Sequence, residues 1–312
     1  MWAMTTFSTE DIPDLTGRTV IVTGANSGIG RAAATALAAH NARVVLAVRN
    51  TEKGKEAAAQ MPGSTEVRQL DLASLASVRA FAEAWDGDID LLVNNAGIMV
   101  PPYSKTADGF EMQFGTNHLG HFALTNLLLE HVTGRVVTVS STGHRMGAID
   151  FDDLNWERKA YKPWRAYGQS KLANLLFTAE LQRRLTSVGS SVRATAAHPG
   201  YASTNLQFQS GRRSVNIVSR IGNRLLAQDA DSGALPTLYA AVADIPGDSF
   251  AGPRGFMEQR GAPKLVGRSG SAKDMETARR LWDVSEQLTG VHFPLGPKSA
   301  SRDVADAGTA TT

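Results

Sequence analysis

The chain has no cysteine among its 312 residues. Disulfides, thiol nucleophiles and cysteine-ligated metals are therefore excluded. It has no apolar run near the roughly 18 residues a membrane span needs. Met1 to Asp14 shows no charged segment followed by an apolar one, so it does not read as a secretory signal. The formal net charge is only +2. That is too small to suggest a nucleic-acid partner or a strongly anionic membrane surface. A soluble cytoplasmic protein is the expectation. At 42% hydrophobic and 20% charged residues the chain can bury a real core. Its length suits one large domain or two small ones.

What is present is a regular alternation. Residues 1–16 read as a loose leader. Arg18 to Thr23 is a short run of β-branched residues, predicted as a strand buried on both faces. It enters Gly24-Ala25-Asn26-Ser27-Gly28-Ile29-Gly30 and then an alanine-rich stretch, Arg31 to His40, that reads as a helix. Strand, glycine turn and helix make a dinucleotide site. Glycines let the backbone approach a pyrophosphate, and free N–H groups at the helix start favour anions. The spacing is Gly-x-x-x-Gly-x-Gly rather than Gly-x-Gly-x-x-Gly. An ordinary tight turn is the bland alternative.

Arg43 to Val48 reads as the second strand, ending at Arg49-Asn50. In a βαβ unit this strand end lies beside the adenosine ribose. An acid there suits NAD, and an arginine accommodates the 2′-phosphate of NADP. Residues 47–50 include no acid, so NADP(H) is favoured over NAD(H), unless Arg49 is only an exposed strand-end charge. A helix over Thr51–Gln60, a strand over Thr65–Leu70 and a helix over Ser74–Trp85 follow. Asp71-Leu72 either meets the adenine or simply opens the turn into that helix. Ile89 to Val93 is the fourth strand and ends in Asn94-Asn95-Ala96-Gly97, small polar residues where ligands bind in open α/β sheets.

Phe110 to Val132 reads as one long helical stretch containing Asn117-His118-Leu119-Gly120-His121. The i, i+3 histidines suggest a metal site, but no third ligand has suitable spacing, and packing is the favoured reading. Asn117 is out of place in a helix interior, because asparagine competes with the backbone there. Arg135 to Val139 is the fifth strand and ends in Ser140-Ser141. Pro163 to Ser187 is a helix carrying Tyr167 and Lys171 at i, i+4, on one face. A phenol has a reference pKa of about 10 and is a poor neutral-pH catalyst. A neighbouring ammonium favours the phenolate. The pair can then exchange a proton with an alcohol or carbonyl. Val192 to Ala197 is the sixth strand, broken by His198-Pro199-Gly200. Residues 201–230 read as a substrate lid. Asp231 to Ala243 reads as a helix, Gly255-Phe256-Met257 as a last short strand and Lys273 to Leu288 as a final helix. Residues 291–312, above all Pro297 to Thr312, read as a flexible tail. The alternation predicts an α/β single domain over 17–290, with a doubly wound, mostly parallel sheet and helices on both faces.

These motifs, in this order, make the chain resemble the short-chain dehydrogenase/reductase family of the classical type, over about residues 17 to 260. Thr23 to Gly30 and Asn117 to Phe122 look most like its retinol dehydrogenase and WW-domain oxidoreductase branch. The resemblance implies a Rossmann fold and NADP-preferring action on lipophilic alcohols and carbonyls. It assigns Tyr167 as proton donor in reduction, Lys171 as the residue that tunes Tyr167 and binds the nicotinamide ribose, and Ser141 as the hydrogen-bond donor to the substrate oxygen. Asn117 would hold a water in a proton relay. Gly24, Asn26, Ser27, Gly28, Ile29, Gly30, Arg49, Asp71, Leu72, Asn94, Ala96, Gly97, Pro199, Gly200 and Thr204 would flank the cofactor. Ser140 is the residue most easily confused with Ser141. Met99, Met146, Tyr201, Leu206 and Phe208 are candidates to line an apolar pocket or to pack the core. Family members are often homodimers or homotetramers. The chain departs from several retinol dehydrogenases in lacking their N-terminal membrane anchor, and its part after about residue 260 has no assigned role. A silent NADP-binding regulator and a carbon–carbon double-bond reductase are the competing functions. The first usually loses the tyrosine, lysine or serine, all present here. Product analysis separates the second.

Overall fold

A computed structural model describes residues 6–200 and 230–296. Eight strands form one sheet in the order β3-β2-β1-β4-β5-β6-β7-β8. In chain order the elements are β1 (Thr19–Thr23), α1 (Gly28–Ala39), β2 (Arg43–Val48), α2 (Thr51–Ala58), β3 (Ser64–Gln69), α3 (Leu75–Glu83) and β4 (Ile89–Asn94). Then come α4 (Met112–Phe114), α5 (Gly120–Leu128), β5 (Val132–Val139), α6 (Pro163–Ser187) and β6 (Arg193–Ala197). The described chain resumes with α7 (Ala230–Val242), β7 (Phe250–Pro253), β8 (Pro263–Leu265) and α8 (Met275–Thr289). All pairings are parallel except β7 with β8.

The expectation of a doubly wound sheet holds, and β1 shows why. Val20, Ile21 and Val22 are all buried. Ile21 faces α3, α5 and α6 with Val45, Leu92 and Val136. Val20 and Val22 face α1 and α7 with Val44, Leu46, Leu91 and Val93. A strand covered on both sides has no polar face, so it reads as an unbroken apolar run. Helices α2 and α8 start at capping side chains. Asn50 Oδ1 accepts from Lys53 N (3.0 Å), and Asp274 accepts from Glu276 and Thr277 N–H groups. Gly290 ends α8 in the left-handed conformation (φ 60°).

Three expectations give way. The leader is not loose from Phe7 on. Ser8 caps a 3₁₀ turn, Thr9–Asp11, Ile12 is buried, and Phe7 meets Tyr239 edge-on at 5.2 Å. The predicted helix Phe110–Val132 is interrupted. Glu111 caps α4, Gly115–Leu119 is a π-helix, and Val132 already belongs to β5. Gly255-Phe256-Met257 is not a strand. Phe256–Glu258 is a 3₁₀ turn between β7 and β8, with Met257 at φ 51°. The final helix starts at Met275, close to its expected start at Lys273. After it, Val291 is buried and Phe293 packs 6.1 Å from Trp282. The expected lid, except Ala230, and the tail from Pro297 lie outside the described residues, as does Thr204.

α8 completes the core. Trp282 stacks on Phe177 of α6 at 5.7 Å and meets Phe122 of α5 at 4.9 Å. No helix among the described residues is long and apolar enough to cross a membrane.

Candidate active site

The sheet order reverses between β1 and β4. At such a point a crevice opens beyond the strands' carboxyl ends. A cleft of about 140 Å³ sits there. Gly24, Ser27, Gly28, Ile29, Gly30, Ala96, Gly97, Tyr167, Lys171 and Pro199 line it, together with Asn95, Ile98, Val139 and Ser140. The first group is the one expected from sequence. Asn95, Ile98 and Val139 carry no sequence assignment. The one signal, for Asn95 alone, is the doubled asparagine at the end of β4, which the sequence reading follows through Asn94.

Asn94 itself turns away. Its side chain is fully buried and its Nδ2 donates to Thr125 Oγ1 (2.8 Å). Successive strand residues point to opposite faces, so only one of the pair faces the glycine turn. Asn95 does, and its Nδ2 donates to Thr23 O (2.8 Å). A Cβ on Gly30 would lie 2.3 Å from that Nδ2, so glycine is required there for close approach rather than for backbone freedom.

Thr23 and His121 form the floor. Thr23 Oγ1 accepts from Asn95 N and Ala96 N (2.9 Å each). His121 Nδ1 lies 3.1 Å from Asn117 O, and its Nε2 lies 2.9 Å from Thr23 Oγ1. A carbonyl only accepts, so Nδ1 carries the proton and Nε2 accepts from the threonine. His121 thereby ties the π-turn to the glycine turn, which no sequence signal announced. Burial pushes His121 down to about 4 and His118 down to about 3. His118 Nε2 pairs with Ser285 Oγ (3.0 Å), so both rings serve packing and hydrogen bonding.

Asn117 sits in the π-turn, which resolves its odd place in a helix; such turns cluster at functional sites. Its amide makes three hydrogen bonds. Oδ1 accepts from Ile98 N (2.8 Å), while Nδ2 donates to Ile98 O (3.0 Å) and Ser170 Oγ (2.9 Å). It clamps the loop after β4 to α6.

The two serines separate by geometry. Ser140 is buried, and its Oγ donates to Lys171 O (2.7 Å). Ser141 is part-exposed, accepts from Gly143 N (3.1 Å) and stands beside the Tyr167 ring, both within 3.4 Å of where a Cβ on Gly143 would sit. Burial pushes Tyr167 above its ordinary value, with the Ser141 hydroxyl acting the other way. Lys171 Nζ lies 5.9 Å from the Tyr167 ring centre and donates to Val139 O (3.1 Å). Burial holds Lys171 down to about 8. The expected lowering of the phenol by the ammonium does not appear: burial is the largest influence on Tyr167 and raises it.

The remaining candidates lie around the cleft. Arg49 is exposed at the end of β2 and makes no hydrogen bond or ion pair among the described residues. Asp71 Oδ1 accepts from Ala73 N (3.0 Å), the turn reading of that residue. Leu72 is buried in the core, and its carbonyl is 2.4 Å from where a Cβ on Gly120 would sit. Asn26 is half-buried in the glycine turn, and Gly200 follows Pro199 with φ 69°.

Comparison with known proteins agrees with this geometry. The family model described as short chain dehydrogenase matches residues 18–214. The chain belongs to the short-chain dehydrogenase family. Human retinol dehydrogenase 13 is 44% identical, with 89% of this chain and 86% of the relative aligned. Retinol dehydrogenase 14 of Mus musculus is 41% identical, covering 88% and 86%. Among solved structures, an uncharacterized protein from Mycobacterium Paratuberculosis is 55% identical, with a TM-score of 0.83, covering 93% of this chain and all of that one. A structure described as an NAD(P) dependent gluconate 5-dehydrogenase from Beutenbergia cavernae, with NADP bound at low occupancy, is 28% identical. Its TM-score is 0.55, with 73% of this chain and 91% of that one covered. The family and these relatives make the chain an NAD(P)-dependent oxidoreductase of alcohols and carbonyls.

Proposed function

We propose that this chain is an NADP(H)-dependent oxidoreductase interconverting a lipophilic alcohol and its carbonyl compound, with Tyr167, Lys171 and Ser141 as its catalytic set. One observation carries the reading. Tyr167 and Lys171 both line the glycine cleft, and the Ser141 hydroxyl stands beside the Tyr167 ring. The names of the retinol dehydrogenase relatives support a lipophilic substrate.

The residues present fit a dinucleotide. The first turn of α1 has no acid, and Ser27 spends no hydroxyl on capping, so the N–H groups of Gly28, Ile29 and Gly30 are available to a pyrophosphate. Arg49, exposed and unpaired among the described residues, suits a 2′-phosphate. Gly97 and Pro199 wall the nicotinamide end. When bound, the nicotinamide supplies or accepts hydride.

The chain's own residues handle the proton. Burial keeps Tyr167 protonated at neutral pH, the form a reductase donates from. Ser141 hydrogen-bonds the oxygen on which charge develops. Lys171, charged below about pH 8, favours the phenolate left after donation. Asn117 holds Ile98 and Ser170 around them and has the relay role implied by the family resemblance.

The test follows NADPH and NADH consumption with aliphatic, aromatic, steroid and retinoid carbonyls. NADPH turnover with the lipophilic members is expected, and Arg49→Ala should cut the NADPH-over-NADH preference about tenfold, the order of one charge-assisted phosphate contact. Preference for NADH in the wild type would contradict the role of Arg49.

A further inference from the structure

We propose that Asn174 is a positioning residue for Lys171, held in turn by His118 and, through Ser285, by the C-terminal helix α8. The inference rests on reading Lys171 as a cofactor-site lysine. Asn174 lies three residues beyond Lys171 and seven beyond Tyr167, so all three share one face of α6. It is buried. Its Nδ2 donates to Val139 O at 3.1 Å, and Lys171 Nζ donates to the same carbonyl, also at 3.1 Å. A carbonyl has two lone pairs, and these two donors fill them. Asn174 thus holds the end of β5 where the lysine rests. The other ammonium protons of Lys171 stay free for the cleft it lines.

The far side of Asn174 leads to α8. Asn174 Oδ1 and His118 Nδ1 are both buried and have no hydrogen-bond partner. The Asn174 amide lies against the His118 ring, where it favours the protonated imidazole. Ser285 Oγ lies 3.0 Å from His118 Nε2 and 2.7 Å from Leu281 O. Its single proton can point to either. Pointed at Nε2, it places the imidazole proton on Nδ1, on a ring beside the Asn174 amide. The neighbours are apolar: Phe114 is 5.2 Å and Phe177 6.2 Å from the His118 ring. Polar groups persist in such a place when they are mutually bonded. The line Ser285–His118–Asn174–Val139–Lys171 gives α8 and the first histidine of Asn117-His118-Leu119-Gly120-His121 a purpose.

Titration of NADPH binding against pH, from 7 to 9.5, tests this. The cofactor's 2′-phosphate is fully ionised in that range. The titratable groups facing Lys171 are Tyr167 on its own helix and His121 on α5; Val139 of β5 and Gly97 after β4 bring no charge. His121 is neutral throughout the range. Wild-type affinity should weaken as pH rises through about 8, where Lys171 loses its proton. Asn174→Asp sets a carboxylate beside the lysine and should move that onset up by about 1 pH unit or more. Asn174→Leu should weaken binding about tenfold at pH 7, because the Val139 carbonyl that seats the lysine is then unanchored on its other side. Lys171→Met is the control and should abolish the onset. If the onset vanishes in Lys171→Met but folded Asn174→Asp keeps the wild-type onset, Asn174 has only a structural role and the inference fails alone. Should Asn174→Asp not fold, unchanged affinity in folded Asn174→Leu overturns it. If Lys171→Met itself keeps the onset, the cofactor-site reading of Lys171 fails, and the inference with it.

Discussion

At the residue scale, two adjacent serines have opposite tasks. Ser140 Oγ is spent on Lys171 O, while Ser141 faces Tyr167. Ser141→Ala should lower kcat by about 10²-fold, the usual cost of one donor at a developing oxyanion. Ser140→Ala should cost about 1 kcal/mol of stability and far less turnover. Steady-state kinetics and thermal melts of both variants check this, and equal kinetic losses would contradict it. The sequence could not separate the pair, because both end a buried strand and only the turn after it decides which hydroxyl meets the phenol. The same limit applies to Asn94 and Asn95. Tyr167 and Lys171 were legible because i, i+4 spacing on a helix survives any detail of packing. Thr23 and His121 were not, because a threonine closing a strand and a histidine on an apolar helix look like ordinary core residues.

At the element scale, the stretch from Glu111 to His131 differs most from expectation. Its composition is helical, but the π-turn swings Asn117 toward Ile98 and both histidines into the interior. The buried, neutral histidines make acid sensitivity a property of this element. His118 and His121 have folded values of about 3 and about 4, below the unfolded value of 6.5. Between those limits the unfolded chain binds more protons. Stability is therefore complete above pH 6.5 and falls as pH drops toward the folded values. At pH 5 the loss is roughly 2 kcal/mol for each ring. Thermal melts at pH 7 and pH 5 should show it, since ordinary carboxylates titrate lower, at about 4. His121→Gln should shrink the difference. A Tm independent of pH over this range would contradict neutral burial. The β7–β8 region departs from expectation for a related reason: β8 has only three residues, and the turn before it carries the apolar Phe256 and Met257 on its exposed surface.

At the scale of the whole molecule, the doubly wound, mostly parallel sheet was legible, and the structure adds the order of its strands. Apolar runs buried on both faces, separated by helix-length crossovers, leave few topologies. The crevice at the β1–β4 reversal follows from that order, and the glycine turn, Ala96-Gly97, Tyr167, Lys171 and Pro199 meet there. The role of α8 was not legible, because only the folded chain brings Trp282 onto Phe122 and Phe177 and Ser285 onto His118. The central claim is that this convergence is a proton-donating active site. The direct measurement is turnover and NADPH binding of Tyr167→Phe beside the wild type, with the carbonyl the wild type reduces best. NADPH binding should survive while kcat falls by at least ~10²-fold, the share of general acid catalysis. Near-wild-type turnover in Tyr167→Phe would contradict it.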